Sequence, residues 1–106
     1  MNTFPPGAVA VIFVNRRSEA DEPGYSAAAE AMERAAERQP GYLGIDSVRA
    51  ADGQGITVSY WASEEDAIAW RDDVDHAATR AKGRDRWYDS YRLVVAGIRR
   101  DYAWRR

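Results

Sequence analysis

The sequence predicts an α+β domain of ferredoxin-like type: a βαββαβ order, an antiparallel sheet, and both helices on one sheet face. Three observations predict it. Ala8 to Val14 is apolar at every position, and Tyr25 to Gln39 repeats its apolar residues at helical spacing. The stretch from Gly41 to Trp70 reads as two strands around a tight turn, followed by a capped helix.

Pro5-Pro6-Gly7 closes a short leader, residues 1–7, expected to be flexible. The first strand runs from Ala8 to Val14 and stops at Asn15-Arg16-Arg17. A strand apolar at both parities must be covered on both faces. Two helices cover one face, so the other demands a further layer. Ser18 to Gly24 is a polar loop. In the first helix Tyr25, Ala28, Ala29, Met32, Ala35 and Ala36 share a face, Glu30 and Arg34 pair on the outer side, and Pro40-Gly41 stops the helix.

Tyr42 to Ala50 alternates as an edge strand does, and Asp52-Gly53 is a strong hairpin signal, with Gly55 expected to ease a short bulge. Ile56 to Trp61 is the third strand. Ser63 is a good N-cap, and Glu64, Glu65 and Asp66 fall in the electropositive first turn of the second helix. Ala67, Trp70, Val74, Ala77, Ala78 and Ala81 follow near one face. Asp72-Asp73 is expected to kink the helix, and Gly83 to end it. Arg84 to Ser90 reads as a loop rich in arginine and aromatic residues, Tyr91 to Asp101 as the last strand, and Ala103 to Arg106 as a tail.

Composition narrows the function. A chain of 106 residues makes one domain, and its net charge of −2, with both signs interspersed, lacks the basic footprint of a nucleic-acid binder. With no cysteine and one histidine, the chain has no Cys nucleophile, no disulfide frame and no Cys or His metal cluster of its own, so no metal site is expected. There is no dinucleotide fingerprint, no phosphate loop and no Gly-x-Ser-x-Gly elbow. No signal-peptide pattern and no bilayer-length apolar run is present, so a cytoplasmic protein without membrane contact is expected. The acidic pairs Glu64-Glu65 and Asp72-Asp73 are adjacent and diverge around a helix, as solvated charges do.

Pro-Gly-Tyr-Leu-Gly-Ile-Asp-Ser (40–47), Gly-Ile-Thr-Val-Ser-Tyr-Trp (55–61), the helix through Trp70 to His76, and Gly-Arg-Asp-Arg-Trp-Tyr-Asp-Ser-Tyr-Arg (83–92), ending in Arg-Asp-Tyr (100–102), together resemble the antibiotic biosynthesis monooxygenase family. The resemblance covers residues 8–104. It implies a homodimeric α+β barrel in which two sheets pack face to face and each subunit keeps a pocket between its sheet and helices. It also implies a cofactor-independent monooxygenase that acts with O₂ on a small electron-rich aromatic or polyketide-like compound. A heme-binding or heme-degrading protein is one alternative, and a non-catalytic dimeric module that binds a small molecule is another.

On this reading His76, the one side chain that ordinarily titrates near neutral pH, is the catalytic base. Arg84 and Tyr91 stabilise the anion it creates. Asn15, Trp61, Trp70, Arg80 and Tyr88 line the substrate pocket. Each has a plainer reading: His76 as a polar helix position, the two Trp as core packing, Asn15 as a turn residue, and the Arg and Tyr side chains as a solvated loop. In heme-degrading members of the family the proximal histidine lies farther along the helix, at the place Arg80 takes here, so heme would depend on His76.

Overall fold

The computed structural model describes residues 3–20, 22–84 and 86–106, with the side chains of 81–84 outside the description. The element order is β1 (Val9–Arg17), α1 (Glu22–Glu37), β2 (Tyr42–Arg49), β3 (Gln54–Trp61), α2 (Glu64–Arg84) and β4 (Tyr88–Gly97). The four strands form one antiparallel sheet in the order β2-β3-β1-β4. This is the ferredoxin-like α+β arrangement that the hydrophobic pattern predicts. No helix among the described residues is long and apolar enough to cross a membrane.

Alternation along β1 decides which residues meet the helices. Val11 lies beside Ser59 and Val95, Phe13 beside Thr57 and Leu93, and Asn15 beside Gly55 and Tyr91. This parity builds the core, where Val9, Val11, Trp61, Ala36, Ala67 and Trp70 are buried together. Trp61 has no exposed surface and its ring centroid lies 5.5 Å from that of Trp70. Small residues, Ala36, Ala67 and Ala78, are the buried contributions of the helices beside Trp70.

Local chemistry holds the frame. Ser63 Oγ accepts the Asp66 backbone N–H at 3.1 Å and donates to Asp66 Oδ2 at 3.0 Å, a reciprocal cap on α2. Gly41 has φ of 80°, and a Cβ there would overlap the Asp66 carboxylate, so glycine is required where β2 leaves the first helix–strand turn.

Several elements differ from expectation. β1 runs on to Arg17, and Asn15 is a strand residue rather than a turn residue. β4 begins at Tyr88 instead of Tyr91. α2 continues through Asp72-Asp73 as one helix and not two segments, since both carboxylates face solvent and ask nothing of the backbone. Gly55 carries no bulge; in the β2–β3 pair the irregularity lies between Tyr42 and Gly44. The leader is docked at Phe4, whose ring stacks on Tyr60 at 4.8 Å and whose N–H donates to Asp101 at 3.1 Å.

The register of β1 against β4 shifts between Arg16 and Arg17: Arg16 pairs with Ser90, and Arg17 with Tyr88, so Asp89 is the extra residue. A bulge reverses side-chain parity beyond it. Tyr88 therefore shares the inward face with Arg17, where an unbroken ladder would put Asp89.

The opposite sheet face is apolar at its centre, with Arg92, Asp46 and Arg16 around it. Ile12, Val14 and Val58 lie at its centre, and Val48, Ile56 and Val94 leave 70%, 41% and 36% of their surface exposed in the single chain. This is the face for which a further layer is expected.

Candidate functional site

Between the helices and the sheet lies a partly open cavity of about 150 Å³. Its floor is Val11, Phe13, Ile45, Ser47, Thr57 and Ser59 from the sheet. One wall is the α1 face carrying Tyr25, Ala28, Ala29 and Met32, with Glu33 at the rim; the other is Trp70, Val74, Ala77 and Ala78 of α2. The alanines create the hollow, since longer side chains at these positions would fill it. The floor hydroxyls are already paired: Ser47 with Thr57 at 2.7 Å, and Ser59 with the Trp61 indole N–H at 2.9 Å. The floor thus demands no polar partner from a guest.

Trp87 and Tyr88 close one end, and the charges gather there. Arg17 is 7% exposed. Its guanidinium donates to Trp87 O at 2.6 Å and to Glu22 Oε2 at 2.9 Å, and lies 3.9 Å from the centroid of the Tyr25 ring. A buried cation requires such partners. Arg49 reaches the same ring from β2, with Cζ 5.3 Å from its centroid. It donates to Asn15 Oδ1 at 2.9 Å, to Tyr25 Oη at 2.6 Å and to Gly53 O at 2.7 Å. Gly55 makes room for it, since a Cβ there would lie 2.7 Å from Arg49 Cζ. The Tyr88 ring meets that of Tyr25 edge-on, their centroids 5.8 Å apart. Burial pushes the Tyr88 hydroxyl well above its ordinary pKa of 10.0; the Tyr25 side chain adds to the shift, and the Arg49 and Arg17 guanidiniums oppose it. Tyr88 therefore stays protonated and can donate a hydrogen bond throughout the physiological range.

The residues singled out in the sequence divide. Trp70 and Tyr88 line the cavity, and Asn15, 2% exposed, anchors Arg49 at its polar end. Trp61 lies behind the cavity in the core, with its N–H satisfied by Ser59. His76 is exposed and does not reach the lining, which corrects the assignment of a base. The reason is helical phase: the inner stripe of α2 runs through Trp70, Val74 and Ala78, and two positions past Val74 is a rotation of about 200°. Arg80 is exposed for the same reason, two positions past Ala78. Tyr91 is also outside the lining; its hydroxyl donates to Asp75 at 2.8 Å and pairs with Thr79 at 3.0 Å. The Arg84 side chain lies outside the described residues.

Three residues of the site were missed. Arg17 was signalled by period two, since Phe13, Asn15 and Arg17 share a strand face. Tyr25 was counted only as apolar helix surface. Arg49 had no local signal, because its place depends on the long-range register that sets Gly55 beside it.

Residues 8–82 match the family model described as antibiotic biosynthesis monooxygenase. The chain belongs to this family. A relative of Bacillus subtilis, the uncharacterised protein YqjZ, is 50% identical over 98 residues, which is 92% of this chain and 85% of the relative. Among solved structures, SnoaB, a cofactor-independent oxygenase from Streptomyces nogalater, superposes with a TM-score of 0.65 at 14% identity, covering 88% of this chain and 94% of its own. The heme-degrading protein Rv3592 from Mycobacterium tuberculosis gives 0.62 at 20% identity, covering 93% and 99%. At these identities the likeness is one of fold. It spans two chemistries. The described lining offers no imidazole to a heme iron, since His76 faces solvent and position 80 is arginine.

Proposed function

We propose that this protein is a cofactor-independent monooxygenase that oxidises a small electron-rich aromatic compound inside the cavity. The observation that carries the reading is an apolar hollow ending in a protonated phenol, Tyr88, with two guanidiniums behind it. An apolar cavity of about this size in another protein takes up benzene, so the guest has one ring or two compact ones. Trp70 and Phe13 supply flat apolar contacts, and Tyr88 aims a donor at a ring oxygen.

The reaction converts a ring CH₂, or the tautomeric phenol C–H, to a carbonyl. The substrate first loses an acidic O–H or C–H proton to water at the open side of the cavity. The resulting anion gives one electron to O₂, and superoxide and substrate radical combine in a C–O bond. Loss of water from the peroxide leaves C=O. One oxygen atom of O₂ enters the product and the other leaves as water, so the substrate gives up two hydrogens and four electrons. The protein's part is to bind, to exclude bulk water and to hold negative charge at the ring oxygen. Because no base lines the polar end among the described residues, a substrate acidic in its own right fits best.

The apolar centre of the outer sheet face supports a homodimer formed by this face on a second copy, the isologous geometry expected of such a surface.

An oxygen electrode run on a panel of hydroquinones and naphthols, with isotopically labelled O₂ in the product analysis, tests the activity. The expected result is saturable uptake with one labelled atom in the product, falling about 10- to 100-fold in Tyr88→Phe. Binding of these compounds without any uptake contradicts the oxygenase and leaves a small-molecule-binding module.

A further inference from the structure

The floor of the cavity is built in rows across the sheet. Val11, Ser59 and Ile45 form one row, and Phe13, Thr57 and Ser47 the next. The row beyond is Asn15, Gly55 and Arg49, because two residues along each strand return to the same face. Gly55 has no side chain, and the Arg49 guanidinium takes its place: a Cβ there would lie 2.7 Å from Arg49 Cζ. The guanidinium crosses Gly55 to the buried Asn15, whose Oδ1 accepts from Nη2 at 2.9 Å. A cation thus closes the floor where its apolar rows end.

Arg49 differs from its neighbour Arg17. Arg17 is buried and has the Glu22 carboxylate at 2.9 Å. Arg49 is exposed, and its acceptors are neutral: the Asn15 amide oxygen, the Tyr25 hydroxyl and the Gly53 carbonyl. Among the described residues no carboxylate forms an ion pair with it. Those bonds use three of the five N–H groups of a guanidinium, so donors remain for a further acceptor. The charge is also felt inside the cavity, where it opposes the upward shift of the Tyr88 hydroxyl. Two carboxylates lie near the site. Glu22 is taken by Arg17, and Glu33 sits at the rim about two helical turns from Tyr25. α2 adds no charge to the lining among the described residues.

We propose that Arg49 anchors a carboxylate subsite, so that the guest of this cavity is an aromatic acid bearing a ring hydroxyl. This names the substrate class of the oxygenase proposed above and rests on that reading for its biological sense. Geometry sets the reach. Successive rows lie about 7 Å apart, and a charge-assisted hydrogen bond spans about 2.8 Å. A ring seated on the Phe13 row must therefore carry its acceptor oxygen about 4 Å from the ring centre. A carboxylate bonded directly to the ring meets that distance. A hydroxyl beside the carboxylate stays at the end of the cavity that Tyr88 closes. The matching carboxamide has the same shape and reach but no charge, so the two separate the subsite from the hollow.

The test compares salicylate with salicylamide, and 1-hydroxy-2-naphthoate with its amide, by calorimetric titration at neutral pH and low salt without O₂. Wild type is expected to bind each acid about tenfold more tightly than its amide. The preference is partly kept in Arg49→Lys. It is lost in Arg49→Gln and Gly55→Ala, which go on binding the amides, and Gly55→Ala supplies the readout if Arg49→Gln does not fold. A merely structural Arg49 would weaken acid and amide together and leave their ratio intact. The proposal is overturned if wild type binds acid and amide alike, if Arg49→Gln or Gly55→Ala keeps the preference, or if neither acid binds at millimolar concentration. A preference for the acids with no oxygen uptake on the hydroquinone and naphthol panel would sink the oxygenase alone. Uptake on that panel with no preference for the acids would sink this proposal alone.

Discussion

Gly55→Ala on its own and together with Arg49→Ala separates a folding role for the glycine from a site role. Gly55 has no positive φ, so alanine is compatible with its backbone, and a Gly→Ala change at such a place stabilises by about 0.4–1 kcal/mol through the unfolded chain. Against this stands the overlap of the new Cβ with Arg49, 2.7 Å from Cζ and Nη1 and 2.8 Å from Nη2, where ordinary contact needs about 3.5 Å. The guanidinium must move by about 1 Å, and its bonds to Tyr25 and Asn15 cannot both survive. Arg49 is exposed and finds water, but the buried Asn15 oxygen loses its partner, at a cost of about 1–2 kcal/mol. The net effect of the single change is therefore a destabilisation between about 0 and 1.5 kcal/mol. In the Arg49→Ala background the obstacle is absent, and the same change becomes stabilising by about 0.4–1 kcal/mol. Urea unfolding of the four proteins measures both values. A Gly55→Ala effect of the same sign and size in both backgrounds would refute the claim that this glycine exists to seat Arg49.

Three further outcomes follow from the same geometry. Trp61→Ala empties the centre of the core and is expected to cost about 3–5 kcal/mol, read as a lowered urea midpoint with an unchanged slope; a loss below 1 kcal/mol would mean that the Trp61–Trp70 stack is not the core. His76→Ala is expected to leave ligand affinity, oxygen uptake and its pH profile unchanged, and a large loss of turnover would place the imidazole at the substrate after all. The Tyr88 hydroxyl is held above its ordinary pKa of 10.0 by burial, so its proton stays on in the folded chain after the unfolded chain has lost its own. That contribution to stability is fully present below about pH 10 and is lost as the pH rises from there toward the folded-state value. A thermal midpoint that falls above about pH 10 in wild type, and falls less steeply in Tyr88→Phe, is the expected pattern; identical slopes would contradict it.

The parts of the fold that rest on local chemistry were readable in the chain. Ser63 with its acidic first turn starts α2, Gly41 and Gly53 turn the chain with φ of 80° and 95°, and the double parity of β1 announces a strand with two faces to cover. What could not be read depends on pairing between distant segments. Asp89 is an unremarkable residue until the β1–β4 register makes it the bulge that turns Tyr88 inward. Arg49 resembles any charged residue near a hairpin until Gly55 and Asn15 stand opposite it. His76 drew attention by its chemistry, while the phase set by Trp70, Val74 and Ala78 was enough to put it outside. Trp70 and Tyr88 were found as aromatic candidates, and only the packing of the helices distinguishes the pocket-lining Trp70 from Trp61 behind it.

A crystal structure of the protein soaked with a naphthol or a hydroxynaphthoquinone tests the central claim, that the hollow between helices and sheet is where a small aromatic is held. The account predicts a ring lying among Phe13, Trp70 and Ala78 with its oxygen on the Tyr88 hydroxyl. A ligand seated elsewhere, or a hollow closed by collapse of α1 and α2 onto the sheet with no ligand in it, would contradict the account.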